Sequence, residues 1–253
     1  MAKRTSEKDL GMWQHIRQAF GLIFKNYKLF LPLILIVVVI CACLVEVSKD
    51  TLVVMGVMML LFLWLVSLFF ARQILAGRKV KFFDGLYNAM TPLIATLVVL
   101  VVILIQCVPI FLLIIATSAA VETNFLSNFG YAMLFAVFAV AMIAISGFLL
   151  SDTLMALVAV SAPGMYPWRA MKLTNGVMKG KRGRFIVRLV MMALVLGLIW
   201  MIVLGPVALL ATAVTLPMML APIVVFILGS FSVIYMAVYL YIYYRKVIHY
   251  DEK

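Results

Sequence analysis

A short stretch in the second half of the chain, GVMKGKRGRF at 176–185, has the composition of a phosphate-binding loop. Such a loop needs four residues between two glycines, followed by Lys and then Ser or Thr, so that backbone N–H groups surround a phosphate and the hydroxyl reaches Mg²⁺. Here Gly176 and Gly180 enclose three residues, and Lys181 is followed by Arg182. The spacing therefore argues against nucleotide chemistry.

Two polar residues, Asp152 and Gln106, lie inside apolar segments. If its helix is continuous, Asp152 lies about 15 Å from the end marked by Pro163, since a helix rises about 1.5 Å per residue. A carboxylate at that depth must be protonated, face the bundle interior or pair with a cation, and such residues often mark ion or proton routes. Alternatively, the helix ends near Leu150 and Asp152 lies at an interface. Gln106, close to Pro109, either borders a kink that frees backbone carbonyls or links two helices.

Histidine and carboxylate residues show no catalytic or metal-binding spacing. The two histidines, His15 and His249, lie in polar flanks, and neither belongs to a cluster of Cys, Asp or Glu at ligand spacing. The nine acidic residues are scattered along the chain. We therefore expect a protein that is not an enzyme and that binds no metal and no cofactor.

Composition indicates the solvent in which these residues lie. Of 253 residues, 67% are hydrophobic and 12% charged, which is more apolar surface than one soluble core can hide. A helix needs about 20 apolar residues to cross a hydrocarbon core of about 30 Å. Because the apolar runs lack the alternation of barrel strands, they predict an all-α, polytopic membrane protein with six transmembrane helices. The six runs are at about 29–48, 52–71, 93–117, 131–162, 185–213 and 218–244.

Positive charge predicts the orientation, because cytoplasmic loops are enriched in Lys and Arg. Of 21 Lys and Arg residues, all except Lys49 fall in the two termini, in the second and fourth connections, or just inside a helix there. We therefore expect a multi-pass protein of the cytoplasmic (inner or plasma) membrane with both termini in the cytoplasm. Residues 1–28 would form a cytoplasmic amphipathic segment and residues 29–253 a six-helix membrane domain. This orientation explains the net charge of +12, so we expect no nucleic-acid binding.

Amphipathic segments precede the odd-numbered membrane helices. Apolar residues recur at helical spacing before the first membrane helix, which is typical of a helix that lies on the inner leaflet or packs against the end of the bundle. These residues are Trp13, Ile16, Phe20, Ile23, Phe24 and Tyr27. Residues 13–30 align without gaps with 168–185, so that Trp13 matches Trp168 and Gly21 matches Gly176. The match suggests related halves, 12–130 and 131–253, unless two basic amphipathic segments resemble each other by chance.

The second half of the chain also resembles a known family. LMALVAVSAPGMYPWRAMKLTNGVMKGKRGRF at 154–185, followed by a long helix with Gly205 and Pro206 near its end, is similar to YciC-like bacterial membrane proteins. It is also similar to the membrane domain that accompanies some glycerophosphodiester phosphodiesterases. Family members carry a small residue and a Ser or Thr in the cytoplasmic helix, here Ala170 and Thr174. The resemblance implies a six-helix membrane protein and no catalytic residues.

Two functional hypotheses follow. In the first, the protein is an interaction or scaffolding subunit whose basic cytoplasmic residues contact anionic lipid headgroups or a partner protein, or form a homo-oligomer, unless these charges only fix the orientation. The expected contacts are Arg78, Lys79, Lys81, Lys179, Lys181, Arg182 and Arg184, with Trp13 and Trp168 as interfacial anchors. In the second, the protein is a small-solute or ion transporter or channel that uses Asp152 and Gln106.

Overall fold

Helices form all the regular structure in the described part of the chain. The structure is a computed structural model that describes residues 12–44, 49–78, 80–123, 128–162, 164–213 and 220–251. Within these ranges there are ten helices and no strand, so the prediction of an all-α protein is confirmed. They are α1 (Met12–Lys25), α2 (Tyr27–Leu44), α3 (Lys49–Leu75), α4 (Phe82–Ala89), α5 (Leu93–Gln106), α6 (Val108–Glu122), α7 (Phe129–Ala159), α8 (Pro167–Met178), α9 (Arg182–Ala213) and α10 (Leu220–Asp251).

Five helical stretches of the described residues are long and apolar enough to cross a membrane. They are Val54–Leu75, Leu93–Glu122, Phe129–Ala159, Arg182–Val207 and Ile223–Ile248. A sixth is obtained if Trp13–Lys25 and Tyr27–Ile40, which meet at an angle of 82°, are counted as one bent span. The chain therefore fits a multi-pass membrane protein with five or six candidate spans.

Apolar side chains face outward along several of these helices. In each of the spans Leu93–Glu122, Phe129–Ala159 and Arg182–Val207, only 6% of the most apolar 18-residue stretch is buried within the protein. In water such surfaces would associate or aggregate, because contiguous exposed apolar patches are rare on soluble monomers. Hydrocarbon is the solvent that these helices fit.

One candidate span is interrupted where a proline follows a polar residue. α5 ends at Gln106, and α6 begins at Val108 with Pro109 in its first turn. Proline has no N–H to donate and its ring crowds the preceding turn, so the helical hydrogen bonding is broken locally. The disturbance expected beside Gln106 is therefore present in the structure.

The chain divides into two compact units, the first made of Met1–Thr91 and Arg188–Lys253 and the second of Pro92–Val187. In the first unit α10 packs against α1, α2 and α3, and α4 packs against α3. Its core contains large side chains that are almost fully buried, among them Phe30, Leu33, Leu63, Phe70, Tyr235 and Tyr239. This division into units is based on packing alone. The relation between the halves 12–130 and 131–253 therefore stays a prediction.

In the second unit α7 is the common partner of α5, α6 and α8. α7 is continuous from Phe129 to Ala159, so the alternative in which its helix ends near Leu150 is wrong. Its last residues, Met155 to Ala159, are all buried. Asp152 therefore lies within a helix, one turn before its most buried part.

Gly85 provides a sensitive test of the packing of α4 against α3. A Cβ atom at this position would lie 2.1 Å from Cε1 of Phe70, whose side chain is fully buried and in edge contact with Phe30. We predict that Gly85→Ala destabilises the protein by about 1–3 kcal/mol, because a buried ring must move. At an open helical glycine the same change stabilises by up to about 1 kcal/mol.

The matched control is Gly176→Ala in α8, where a new Cβ meets nothing within 4 Å. Thermal unfolding of the purified variants in detergent measures both effects. Equal midpoints for the two variants would contradict the packing described for α4.

Candidate functional site

An ion pair joins α7 to the first residue of α9 in the second unit. The Arg182 guanidinium donates from Nε to Oδ1 of Asp152 at 3.0 Å and from Nη2 to Oδ2 at 2.5 Å. The two side chains are only 20% and 18% exposed. Bidentate geometry of this kind is the strongest form of an Arg–carboxylate contact. Asp152 thus has the cation that a carboxylate in this part of a helix requires.

A tight turn brings Arg182 back to α7. α8 ends at Met178, and Gly180 adopts a φ of 79°, a left-handed conformation that is costly for any residue with a Cβ. α9 begins two residues later. Gly180 therefore allows the turn between α8 and α9, and this turn leads to the residue whose guanidinium reaches the carboxylate.

Arg182 is also held by two further groups. Its Nη2 donates to Oδ1 of Asn175 at 2.7 Å, and its Cζ lies 4.2 Å from the ring centroid of Phe148. A planar guanidinium can use its edge for a carboxylate and its face for an aromatic ring at the same time. Of the cations expected to contact lipid or a partner, Arg182 is therefore engaged by the protein itself.

Gln106 contacts α7 through both its side chain and its backbone. Its Oε1 accepts a hydrogen bond from the Thr153 hydroxyl, and its backbone carbonyl accepts one from Oγ of Ser146 at 3.2 Å. The interruption at Cys107 leaves that carbonyl available, and a small polar residue of α7 reaches it. Gln106 thus borders a helix break and also links two helices, so the two interpretations of this residue are both realised.

Exposed cations and exposed aromatic rings occur together in the segment around α8. α8 buries Ala170, Thr174 and Met178, whereas Trp168 is 77% exposed. The exposed cationic or aromatic residues on or around α8 are Tyr166, Trp168, Arg169, Lys172, Lys179 and Arg184. Lys181 has intermediate exposure. Bulky aromatic groups next to Lys and Arg are typical of the headgroup region of a bilayer.

α1 divides its apolar residues between the first unit's core and the surface. Ile16 and Ile23 are buried, whereas Trp13 and Phe24 are each 64% exposed. Exposed Arg17 and Lys25 lie on the same helix. The packing interpretation therefore holds for the buried residues of this amphipathic segment, and the contact of its exposed residues with a membrane surface stays a prediction.

α4 repeats this arrangement on a smaller scale. It buries Gly85 and Ala89 and leaves Phe83 and Tyr87 more than 80% exposed. The cations that precede it, Arg78 and Lys81, are exposed. Lys79 lies outside the described residues.

His15 is buried, which its position in a polar flank of the sequence did not suggest. Its side chain is 1% exposed, its ring lies edge-on to Tyr243, and neither ring nitrogen has a hydrogen-bond partner among the described residues. Burial, and then the nearby charges of Lys246 and Arg188, lower the pKa of His15 from 6.5 to about 4. Its spacing of four from Ala19, which is also buried, was the signal in the sequence that could have identified it.

Comparison of the chain with protein-family models, with curated proteins and with solved structures finds no match. Within the described residues, no three His, Cys, Asp or Glu side chains lie close enough together to hold a metal ion. The function must therefore be inferred from the contacts and exposures described above.

A double-mutant cycle measures the importance of the Asp152–Arg182 pair. We predict that Asp152→Ala and Arg182→Ala each lower stability by about 2–4 kcal/mol, because each leaves a largely buried charge without its partner. The double variant should lose less than the sum of the single losses, with a coupling of about 1–3 kcal/mol.

The matched controls for this cycle are Lys179→Ala and Arg184→Ala, which remove exposed cations of the same basic stretch, 176–185. Each should change stability by no more than about 0.5 kcal/mol. Thermal unfolding of the purified protein in nanodiscs provides the readout. Additive losses in the double variant would show that the pair does not stabilise the fold.

The pKa of His15 predicts a loss of stability in mild acid. Its pKa is below the ordinary value of 6.5, so the unfolded chain binds the proton more readily than the folded chain. The contribution of His15 is complete above pH 6.5 and is lost as the pH falls towards 4. Thermal unfolding from pH 7.5 to 4.5, in nanodiscs of zwitterionic lipid, should show this loss.

His15→Leu should lose less stability across the same pH window, because it keeps an apolar group against Tyr243 and cannot be protonated. The difference between the wild-type and variant curves removes the effect of carboxylates that titrate near pH 4. An unchanged pH dependence in the variant would show that His15 does not respond as its burial implies.

Proposed function

We propose that this chain is a non-catalytic integral protein of the cytoplasmic membrane that acts as an interaction or scaffolding subunit. Six helices cross the bilayer, both termini lie in the cytoplasm, and basic cytoplasmic residues contact anionic lipid headgroups or a partner protein. The observation that carries this proposal is the shared design of three short helices. α1, α4 and α8 each bury a narrow stripe and expose aromatic rings together with cations on or next to the helix.

The chemistry of these exposed residues supports contact with headgroups. Trp and Tyr rings prefer the interfacial region, where one part of the ring is in an apolar environment and another is wet. Lys and Arg near an anionic leaflet gain about 1 kcal/mol each. A helix that presents both groups outward, while its other side packs on the bundle, is suited to lie at the level of the phosphates.

The charge distribution supports the placement of these three helices on one side of the membrane. Each of them lies in a segment of the chain that is rich in Lys and Arg, whereas Lys49 is the one cation in the first, third and fifth connections. Positive residues concentrate in cytoplasmic segments. Two termini on the same side also require an even number of spans, which agrees with six.

The cations of the basic stretch at 176–185 differ in whether the protein itself engages them. Arg182 neutralises Asp152 and stacks on Phe148, so its charge serves the fold. Lys179 and Arg184 are exposed on either side of it. We therefore assign external contacts to Lys179 and Arg184, and a structural role to Arg182.

The transport hypothesis has less support. Asp152 is engaged by Arg182, and Gln106 by Thr153 and Ser146. A proton or ion route would have to break these contacts at each cycle. The pairing favours a role in holding α7 against its neighbours.

Lipid co-purification tests the proposed contact. We predict that Lys179→Gln combined with Arg184→Gln lowers the ratio of phosphatidylglycerol to phosphatidylethanolamine that co-purifies with the protein, by up to about fivefold per cation removed. Lipid mass spectrometry after mild detergent extraction measures the ratio. Lys49→Gln, which removes a charge expected on the opposite side, is the matched control and should leave it unchanged.

Affinity purification from native membranes, run in parallel, addresses the partner protein. Recovery of the polypeptide alone, without an associated protein and without enriched anionic lipid, would contradict the proposal. Solute flux in liposomes that is lost in Asp152→Asn would instead favour the transport hypothesis.

A further inference from the structure

A groove in the first unit lies between α1, the end of α3 and α10. It is partly open, has a volume of about 380 Å³, and is lined by Gln18, Gly21, Leu22, Lys25, Asn26, Ile74, Leu75 and Ile242. This volume is within the range of sites that hold small organic ligands. A ligand site in this groove, whose lining includes the exposed Lys25 of α1, rests on the proposed contact with anionic lipid, and it lies in a different unit from the basic stretch at 176–185.

The lining of the groove is mainly apolar. Leu22, Ile74, Leu75 and Ile242 supply hydrocarbon walls. The Asn26 amide already donates from Nδ2 to the Leu22 carbonyl at 2.8 Å, so part of the polar lining is satisfied within the protein. A ligand for these walls should carry an alkyl chain, since burial of apolar area gives most of the binding free energy.

One cation lines the groove, a second is hydrogen-bonded to a lining residue, and none of the described lining residues is acidic. Lys25 lines it and is exposed. Arg245 donates from Nη1 to the carbonyl of Leu75, a lining residue, at 2.7 Å, and its side chain is also exposed. This hydrogen bond holds the Arg245 guanidinium at the last residue of α3, which is part of the lining. The charge therefore fits an anion next to an alkyl chain.

We infer that this groove binds one anionic phospholipid, with an acyl chain against the apolar walls and the phosphate near Lys25 and Arg245. A phospholipid combines the two chemical groups that the lining requires in one molecule. The groove is also bordered by α1, whose exposed Trp13 and Phe24 fit the headgroup region. A lipid held in this groove would connect α1 to α3 and α10 and stabilise the docking of α1.

Gly21 provides a way to fill the groove without disturbing the fold. It lines the groove, and a Cβ added to it meets nothing within 4 Å. Gly21→Phe places a ring in the space assigned to the acyl chain, and it replaces a poor helix former with a better one. Gly176→Phe in α8 is the matched control, since this glycine is also helical, exposed and open, and it is the counterpart of Gly21 in the sequence alignment.

Native mass spectrometry of the purified protein with phosphatidylglycerol and phosphatidylcholine tests the inference. Wild type should retain one phosphatidylglycerol in preference to phosphatidylcholine. Gly21→Phe should lower the occupancy by phosphatidylglycerol about tenfold, which is equivalent to about 1.4 kcal/mol. Gly176→Phe should keep the occupancy of the wild type. Lys25→Gln should reduce the preference for phosphatidylglycerol by about fivefold while phosphatidylcholine binding is kept.

Three results would overturn the inference. These are unchanged occupancy in Gly21→Phe, equal binding of the two lipids by wild type, and displacement of the bound lipid by a short apolar peptide but not by excess phosphatidylglycerol. The combined Lys179→Gln and Arg184→Gln variant should keep the single bound lipid. Its effect on lipid enrichment therefore reports on the proposed function alone, and the two proposals can fail separately.

Discussion

The ion pair between Asp152 and Arg182 is the contact on which the arrangement of the second unit depends. A carboxylate within an apolar helix is costly, and here the cost is offset by a guanidinium that two further groups hold in place. Because Arg182 is the first residue of α9, the same contact fixes where α9 begins relative to α7. The left-handed conformation of Gly180 allows the turn between α8 and α9 that precedes this contact.

The same constraint, that polar groups in an apolar environment must find partners within the protein, explains the break beside Gln106. Pro109 disrupts the helical hydrogen bonding, and α7 supplies Ser146 and Thr153 at that level. The contacts of Asp152 and Thr153, which are consecutive along α7, therefore tie the start of α9 and the end of α5 to one helix. Polar residues inside a membrane protein can serve in this way as interhelical links, with no solute route required.

The parts of the fold that depend on local sequence could be predicted. Long apolar runs predicted the candidate spans, helical spacing predicted α1, the alignment of 13–30 with 168–185 indicated α8, and the chemistry of Pro109 predicted the break beside Gln106. Contacts between distant residues could not be predicted in this way. The partner of Asp152 is thirty residues away in sequence, and its identity depends on the turn at Gly180 and on the rotation of α7 about its axis. The groove likewise requires α1, α3 and α10 to meet, which one sequence does not reveal.

We propose that the exposed aromatic and basic residues of α1, α4 and α8 lie at the level of the lipid headgroups. Spin labels at positions 13, 83 and 168, in a protein reconstituted into vesicles of phosphatidylglycerol and phosphatidylcholine, measure this depth from their relative accessibility to oxygen and to a water-soluble nickel complex. All three labels should report the headgroup depth, with an oxygen accessibility between those of labels in water and in the hydrocarbon core. Labels that report the accessibility of bulk water, or of the hydrocarbon core, would contradict it.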